Sequence, residues 1–179
     1  LDTDAILRIN RQMRTQFQQE QHADLAALFT DSIQLVMPGH YQAGGKPMVL
    51  AYWNRYLNPI DLTINHLKFY SDTTEILSDA DVASRLKSVL SSHTQVHNPQ
   101  TQSVYQWVDW QVEYESEDGV IRHEAHPTLL LWVDDLDTGW RISRRFRPWN
   151  GRAVRHLRLF YHVRRSADPH FCRWLYERR

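Results

Sequence analysis

Residues 103–115 carry the feature that most limits what this chain can become. Val104, Gln106, Val108, Trp110, Val112 and Tyr114 fall on one side of an extended strand, and Tyr105, Trp107, Asp109, Gln111 and Glu113 on the other. A two-residue alternation sustained over that length specifies a strand with at least one buried face. Asp118-Gly119 then signals a hairpin. Residues 120–133 return as a strand, 134–139 turn, and Trp140 to Phe146 close a sheet.

The first half of the chain obeys a different period. Ile6, Ile9, Met13, Phe17, Leu25 and Leu28 keep a helical stripe over residues 2–29, with Asp2 or Thr3 as the cap. The apolar-free stretch at 18–22 predicts a break, followed by a second short helix at 23–29. Residues 32–37 read as a short strand stopped by Pro38-Gly39. Gly44-Gly45-Lys46-Pro47 turns into an amphipathic helix over 48–57, carried by Val49, Leu50, Trp53 and Leu57. Imperfect alternation predicts strands over 62–77 and 80–92, with a polar loop at 93–102. Helices followed by antiparallel strands make an α+β fold. A long sheet with few helices must curl round them, which leaves a one-ended cavity suited to a small molecule.

Composition narrows the function classes. The 179 residues suit one domain, and 21 Lys plus Arg balance 21 Asp plus Glu, which argues against a wholly basic nucleic-acid surface. The balance hides an asymmetry, because residues 151–179 hold eight Arg against Asp168 and Glu177. We therefore divide the chain into a domain over 1–150 and an Arg- and aromatic-rich extension over 151–179. The extension is expected to pack on the same domain as a strand and short helix, with a surface for a partner protein as the alternative. The single cysteine, Cys172, excludes a disulfide framework and a Cys-rich zinc site and points to a reducing compartment, the cytoplasm. No run approaches the roughly 18–20 apolar residues of a membrane span.

Several motifs in this order resemble those of the nuclear transport factor 2-like superfamily, in its SnoaL-like group. They are Ala27-Leu28-Phe29-Thr30-Asp31, Met37-Pro38-Gly39, Asn65-His66, the stretch Ile76 to Ala83, and Gly139-Trp140-Arg141-Ile142. The resemblance covers about residues 3–150 and implies a cone, with N-terminal helices packed in a curved antiparallel sheet. Ketosteroid isomerases of this fold place a carboxylate base where this chain has Met37, and a second acid near Leu129. Scytalone dehydratases use two histidines, and His66 matches the first while His93 lies beside the second. Their tyrosines fall near Phe17 and Val36 and their asparagine near Leu129. Bile-acid dehydratases of the same fold carry an arginine for which Arg145 and Arg147 are the candidates.

The residues themselves support acid/base chemistry. An imidazole titrates near neutrality, so His66 is the expected base and His93 the second acid/base group, with His97 and His126 as alternatives. Asp109 is a candidate to orient a histidine or to act as base. Tyr41, Tyr52 and Tyr105 offer phenolic hydroxyls to a developing oxyanion. Phe17, Val36, Tyr41, Trp53, Tyr105, Leu129 and Arg147 are expected to line the substrate site, Arg147 steadying negative charge. No metal-binding spacing, phosphate loop or nucleophile elbow is present, so no metal and no cofactor is expected.

The sequence thus predicts a cofactor-independent dehydratase, isomerase or cyclase acting on a small apolar oxygenated molecule. It predicts a homodimer formed through the sheet's outer face, with no membrane or nucleic-acid partner. The alternatives are a non-catalytic subunit resembling the small subunit of ring-hydroxylating dioxygenases, and a binding module for a small ligand.

Overall fold

In the computed structural model, residues 2–37, 40–90, 101–135 and 137–148 are described, all within one unit spanning Leu1–Pro148. The N-terminal stripe forms α1 (Thr3–Gln18), capped by the Asp2 carboxylate, which accepts from the Ala5 N–H at 3.0 Å. Glu20 turns the chain with a positive φ of 57°, and α2 (His22–Ala27) follows. Next come β1 (Phe29–Met37), β2 (His40–Ala43) and α3 (Gly45–Asn54). Gly45 has a φ of +59°, and a Cβ there would come within 2.9 Å of the Asp31 carbonyl oxygen. Only glycine suits that approach.

The rest of the chain is β3 (Asn58–Tyr70), α4 (Thr73–Ser78), α5 (Ala80–Leu90), β4 (Gln102–Glu115), β5 (Ile121–Asp135) and β6 (Gly139–Phe146). The strand expected over 62–77 therefore ends at Tyr70, and in place of the strand expected over 80–92 the described residues 80–90 form a helix. The reason lies in local chemistry. Asp72 accepts from the Glu75 N–H while Glu75 reaches back to the Ser71 N–H, a reciprocal cap that starts α4. Val82, Leu86 and Val89 then recur at helical spacing, and all three are buried.

Six strands form one sheet in the order β2-β1-β6-β5-β4-β3. Neighbours are antiparallel except β1 and β6, which run parallel, so the sheet is mixed rather than wholly antiparallel. Register shifts in β1, β3 and the β5–β6 pair bend it. One face wraps α1 and α3, where Phe17, Phe29, Trp53 and Trp110 meet with ring centroids 5.8–6.3 Å apart.

The other face has its own apolar core. Tyr105, Trp107, Leu129, Leu131, Val36 and Phe146 pack with Ile76, Val82, Leu86, Val89 and Leu90 of α4 and α5. That packing withdraws this part of the outer face from the subunit contact expected there. Among the described residues no helix is long and apolar enough to cross a membrane. The expectations for residues 151–179, and for Cys172 within them, lie outside the described residues.

Candidate active site

The inner face gathers a polar cluster behind which the aromatic core is closed. Alternation along β4 and β5 sets Trp110 and Tyr114 beside Glu124 and His126 on one side of the sheet. α3 and the residues after it bring Tyr52, Arg55 and Tyr56 onto that side. β6 contributes Arg145 through an irregularity: Trp132 pairs with Ile142 and Leu131 with Arg144, leaving one extra residue on β6. This bulge reverses the alternation, so Arg145 rather than Arg144 joins Ile142 inside. Arg147 extends the same side just past β6, its N–H donating to the Val36 carbonyl at 2.9 Å.

Glu124 is the cluster's carboxylate. It accepts from Arg55 at 2.7 Å, from the Tyr56 hydroxyl at 3.3 Å and from the Tyr114 hydroxyl at 3.2 Å. Arg55 also donates to the Tyr56 hydroxyl and covers the faces of the Tyr52 and Tyr56 rings. The Tyr56 hydroxyl lies 3.2 Å from that of Tyr52. Its single proton serves Tyr52 or Glu124, one at a time.

Arg145 stacks over the Trp110 ring at 4.2 Å and lies 5.1 Å from the centre of the Tyr52 ring. Its Nη2 contacts Nε2 of His126 at 2.8 Å. A guanidinium only donates, so His126 accepts at Nε2 and is neutral with its proton on Nδ1.

These contacts set the two phenols apart. Burial alone pushes the Tyr52 hydroxyl up, but Arg145 and Arg55 more than offset it, and its pKa falls below the usual tyrosine value. Burial and the neighbouring Tyr52 push Tyr56 well above that value. Arg147 is shifted down by burial and then by the like charge of Arg145. Tyr52, Arg145 and Arg147 keep 8–9% of their surface exposed, whereas Trp53, Tyr56 and Trp110 behind them keep none. Around Tyr52, Arg145 and Arg147 the cluster is thus nearly closed to solvent.

The residues expected from the sequence divide between the two faces and the edge. Phe17 and Trp53 lie in the inner core and Arg147 beside the cluster, as placed above. Val36, Tyr105 and Leu129 belong to the outer core and are separated from the cluster by the sheet itself. Asp109 shares that outer side, half-buried, and accepts from Gln111 at 2.6 Å. His66 is on β3 at the sheet's edge and is exposed rather than enclosed.

The environment of His66 also fixes its hydrogen. The Trp132 indole N–H donates to Gln106 Oε1 at 2.9 Å, so Gln106 presents Nε2 to His66 Nδ1, 3.4 Å away. Nδ1 accepts and Nε2 carries the proton. Burial lowers the imidazole's pKa, which keeps it neutral at pH 7. His93 and His97 lie outside the described residues, as does the side chain of Tyr41. Among the described residues no three His, Cys, Asp or Glu side chains are placed to hold a metal ion.

The sequence reading had Tyr52 as a phenolic donor, Arg147 as a substrate-site residue steadying negative charge, and His126 and Arg145 as alternatives; Arg55, Tyr56 and Glu124 did not enter it. The available signal was periodic: Tyr52 and Tyr56 are four apart across the end of α3, and Glu124 and His126 two apart in a strand.

No family model and no curated protein matches the sequence. Solved structures do resemble it. A conserved protein from Planctomyces limnophilus is 14% identical, with a TM-score of 0.52 over 81% of this chain and 93% of its own. A candidate scytalone dehydratase from Novosphingobium aromaticivorans is 14% identical, with a TM-score of 0.50 over 81% of each chain. A candidate calcium/calmodulin dependent protein kinase II association domain from Xanthomonas campestris is 10% identical, at 0.51 over 79% of this chain and 83% of its own. Residues 1–148 share the curved α+β fold of these structures. A fold shared by such different proteins does not choose between their activities.

Proposed function

We propose that this protein is a cofactor-independent acid/base enzyme, a dehydratase, isomerase or cyclase, acting on a small apolar oxygenated molecule at the Tyr52 cluster. The observation that carries the reading is the Tyr52 ring with two guanidiniums over it, Arg55 at 4.7 Å and Arg145 at 5.1 Å, and its hydroxyl against that of Tyr56. Such a phenol is poised to exchange a proton with a carbon acid or with a departing hydroxyl. Arg145 then stabilises whichever partner carries the negative charge, on the enzyme or on the substrate oxygen. Tyr56 and Glu124 supply a short path by which the proton on Tyr52 is replaced.

His66 stands outside this reading, being exposed and already accepting at Nδ1. We place the protein in a reducing compartment on the strength of Cys172, and as a homodimer using the outer sheet surface that α4 and α5 leave uncovered.

The test is solvent deuterium uptake. β-Hydroxy ketones, enones and 1,3-dicarbonyl compounds are incubated with the protein in D2O, and carbon-bound exchange is followed by NMR. The wild-type chain is expected to label at least one class, and Tyr52→Phe to lose the labelling by roughly a hundredfold or more. Equal labelling by Tyr52→Phe, or none by the wild type, overturns the proposal.

A further inference from the structure

The charges of the cluster do not balance. Among the described residues it holds two buried guanidiniums, Arg145 and Arg147, and the half-buried Arg55, against one carboxylate, Glu124. Glu124 is taken up by Arg55 and two tyrosine hydroxyls. Arg145 is occupied by a neutral imidazole and two ring faces. Arg147 differs from both. It is 8% exposed, its Nε is buried without an acceptor, and no side-chain hydrogen bond or ion pair reaches it from the described residues. A buried guanidinium with no counter-charge in direct contact is costly to hold, and a carboxylate offers it both the charge and two acceptors in matching geometry.

We infer that the molecule bound at this cluster is an organic acid with an apolar body, its carboxylate held by Arg147; for calling that molecule the substrate, the inference rests on the acid/base reading above. The inner face beside Arg145 is apolar, Leu35 pairing with Arg145 on one side and Leu130 on the other, which suits an apolar body. A phosphate is a poorer fit. Tyr52 and Arg55 come from the C-terminal end of α3, whose carbonyl dipoles repel a dianion.

Binding is measured by calorimetry on the full chain with butanoate, octanoate and 3-phenylpropanoate, each against its methyl ester. The expected result is that at least one acid binds ten- to a hundredfold more tightly than its ester, as a charged hydrogen bond implies. Arg147→Met is expected to erase that ratio while the melting temperature shows a folded chain, and Arg147→Lys to restore part of it. Equal binding of acid and ester, no binding of any acid, or an undiminished ratio in Arg147→Met overturns the inference. Acid preference without deuterium exchange sinks the enzyme reading and leaves the carboxylate site standing. Exchange without acid preference does the reverse.

Discussion

Arg145 donates to Nε2 of His126 across 2.8 Å, and neither side chain is more than 8% exposed. A cation that meets a neutral imidazole, rather than a carboxylate, keeps its field for its other neighbours, and Tyr52 is one of them. Replacing Arg145 by Met is therefore expected to raise the Tyr52 pKa. The phenolate absorbance titration of the wild type, with that of Tyr52→Phe subtracted, isolates this group. An unmoved midpoint in Arg145→Met means that Arg145 does not set the phenol.

Glu124 makes a different demand. It is the counter-charge of Arg55, with side-chain exposures of 9% and 11%. Removing one partner of a buried pair leaves the other uncompensated, at a cost of about 3–5 kcal/mol. Glu124→Ala is expected to lose that much by urea denaturation. Glu124→Gln is expected to lose less, because an amide oxygen still accepts from Tyr56 or Tyr114.

His66 is expected to be dispensable for turnover. His66→Ala removes an exposed ring stacked on Phe69, with ring centroids 4.2 Å apart. Deuterium exchange by this variant should stay within a few-fold of the wild type. A collapse of exchange in a folded His66→Ala protein would return the chemistry to the sheet's edge.

The outer core is expected to be as integral as the inner one. Leu86 on α5 is fully buried, so Leu86→Ala should cost about 2–5 kcal/mol. Arg85, exposed on the same helix, should change stability by no more than about 0.5 kcal/mol on replacement by Ala. Equal, small effects would show α5 to be a loosely held appendage.

Asp79 joins β3 to α5 and makes the stability sensitive to acid. Lys68 and then Tyr70 donate to its carboxylate, at 2.8 and 2.9 Å, and hold its pKa below the ordinary 3.8. A depressed folded-state pKa means that the unfolded chain takes up the proton first as pH falls. The contribution is complete above the unfolded value and is lost as pH drops through the folded one. Below about pH 4, the urea midpoint should therefore fall more steeply for the wild type than for Asp79→Asn.

The strands from 103 to 146 were legible because side chains alternated cleanly and Asp118-Gly119 marked their turn; Gly119 takes a φ of +74°. The segment 73–90 was not read correctly, although the cap at Asp72 and the four-residue spacing of Val82 and Leu86 both encode helix. Which arginines face inward had no local signal. A bulge set by the pairing of β5 with β6 decides it, and bulges belong to the register of two strands, not to the periodicity of one. The histidines drew attention for their chemistry, whereas Tyr52 gains its character from Arg55, three residues on, and from Arg145 on the distant β6.

The parallel pairing of β1 with β6 also fixes an order of events in the cell. Phe29 registers with Ile142 and Val36 with Phe146, so the first strand emerges from the ribosome long before its neighbour exists. Until residues 139–146 are made, β1 has only the short β2 beside it and an open edge of unpaired amides. Loop closure over nearly the whole domain must precede that contact. A nascent chain ending anywhere before Gly139 is thus a sheet cut through its middle, and assembly of the domain waits on its last strand.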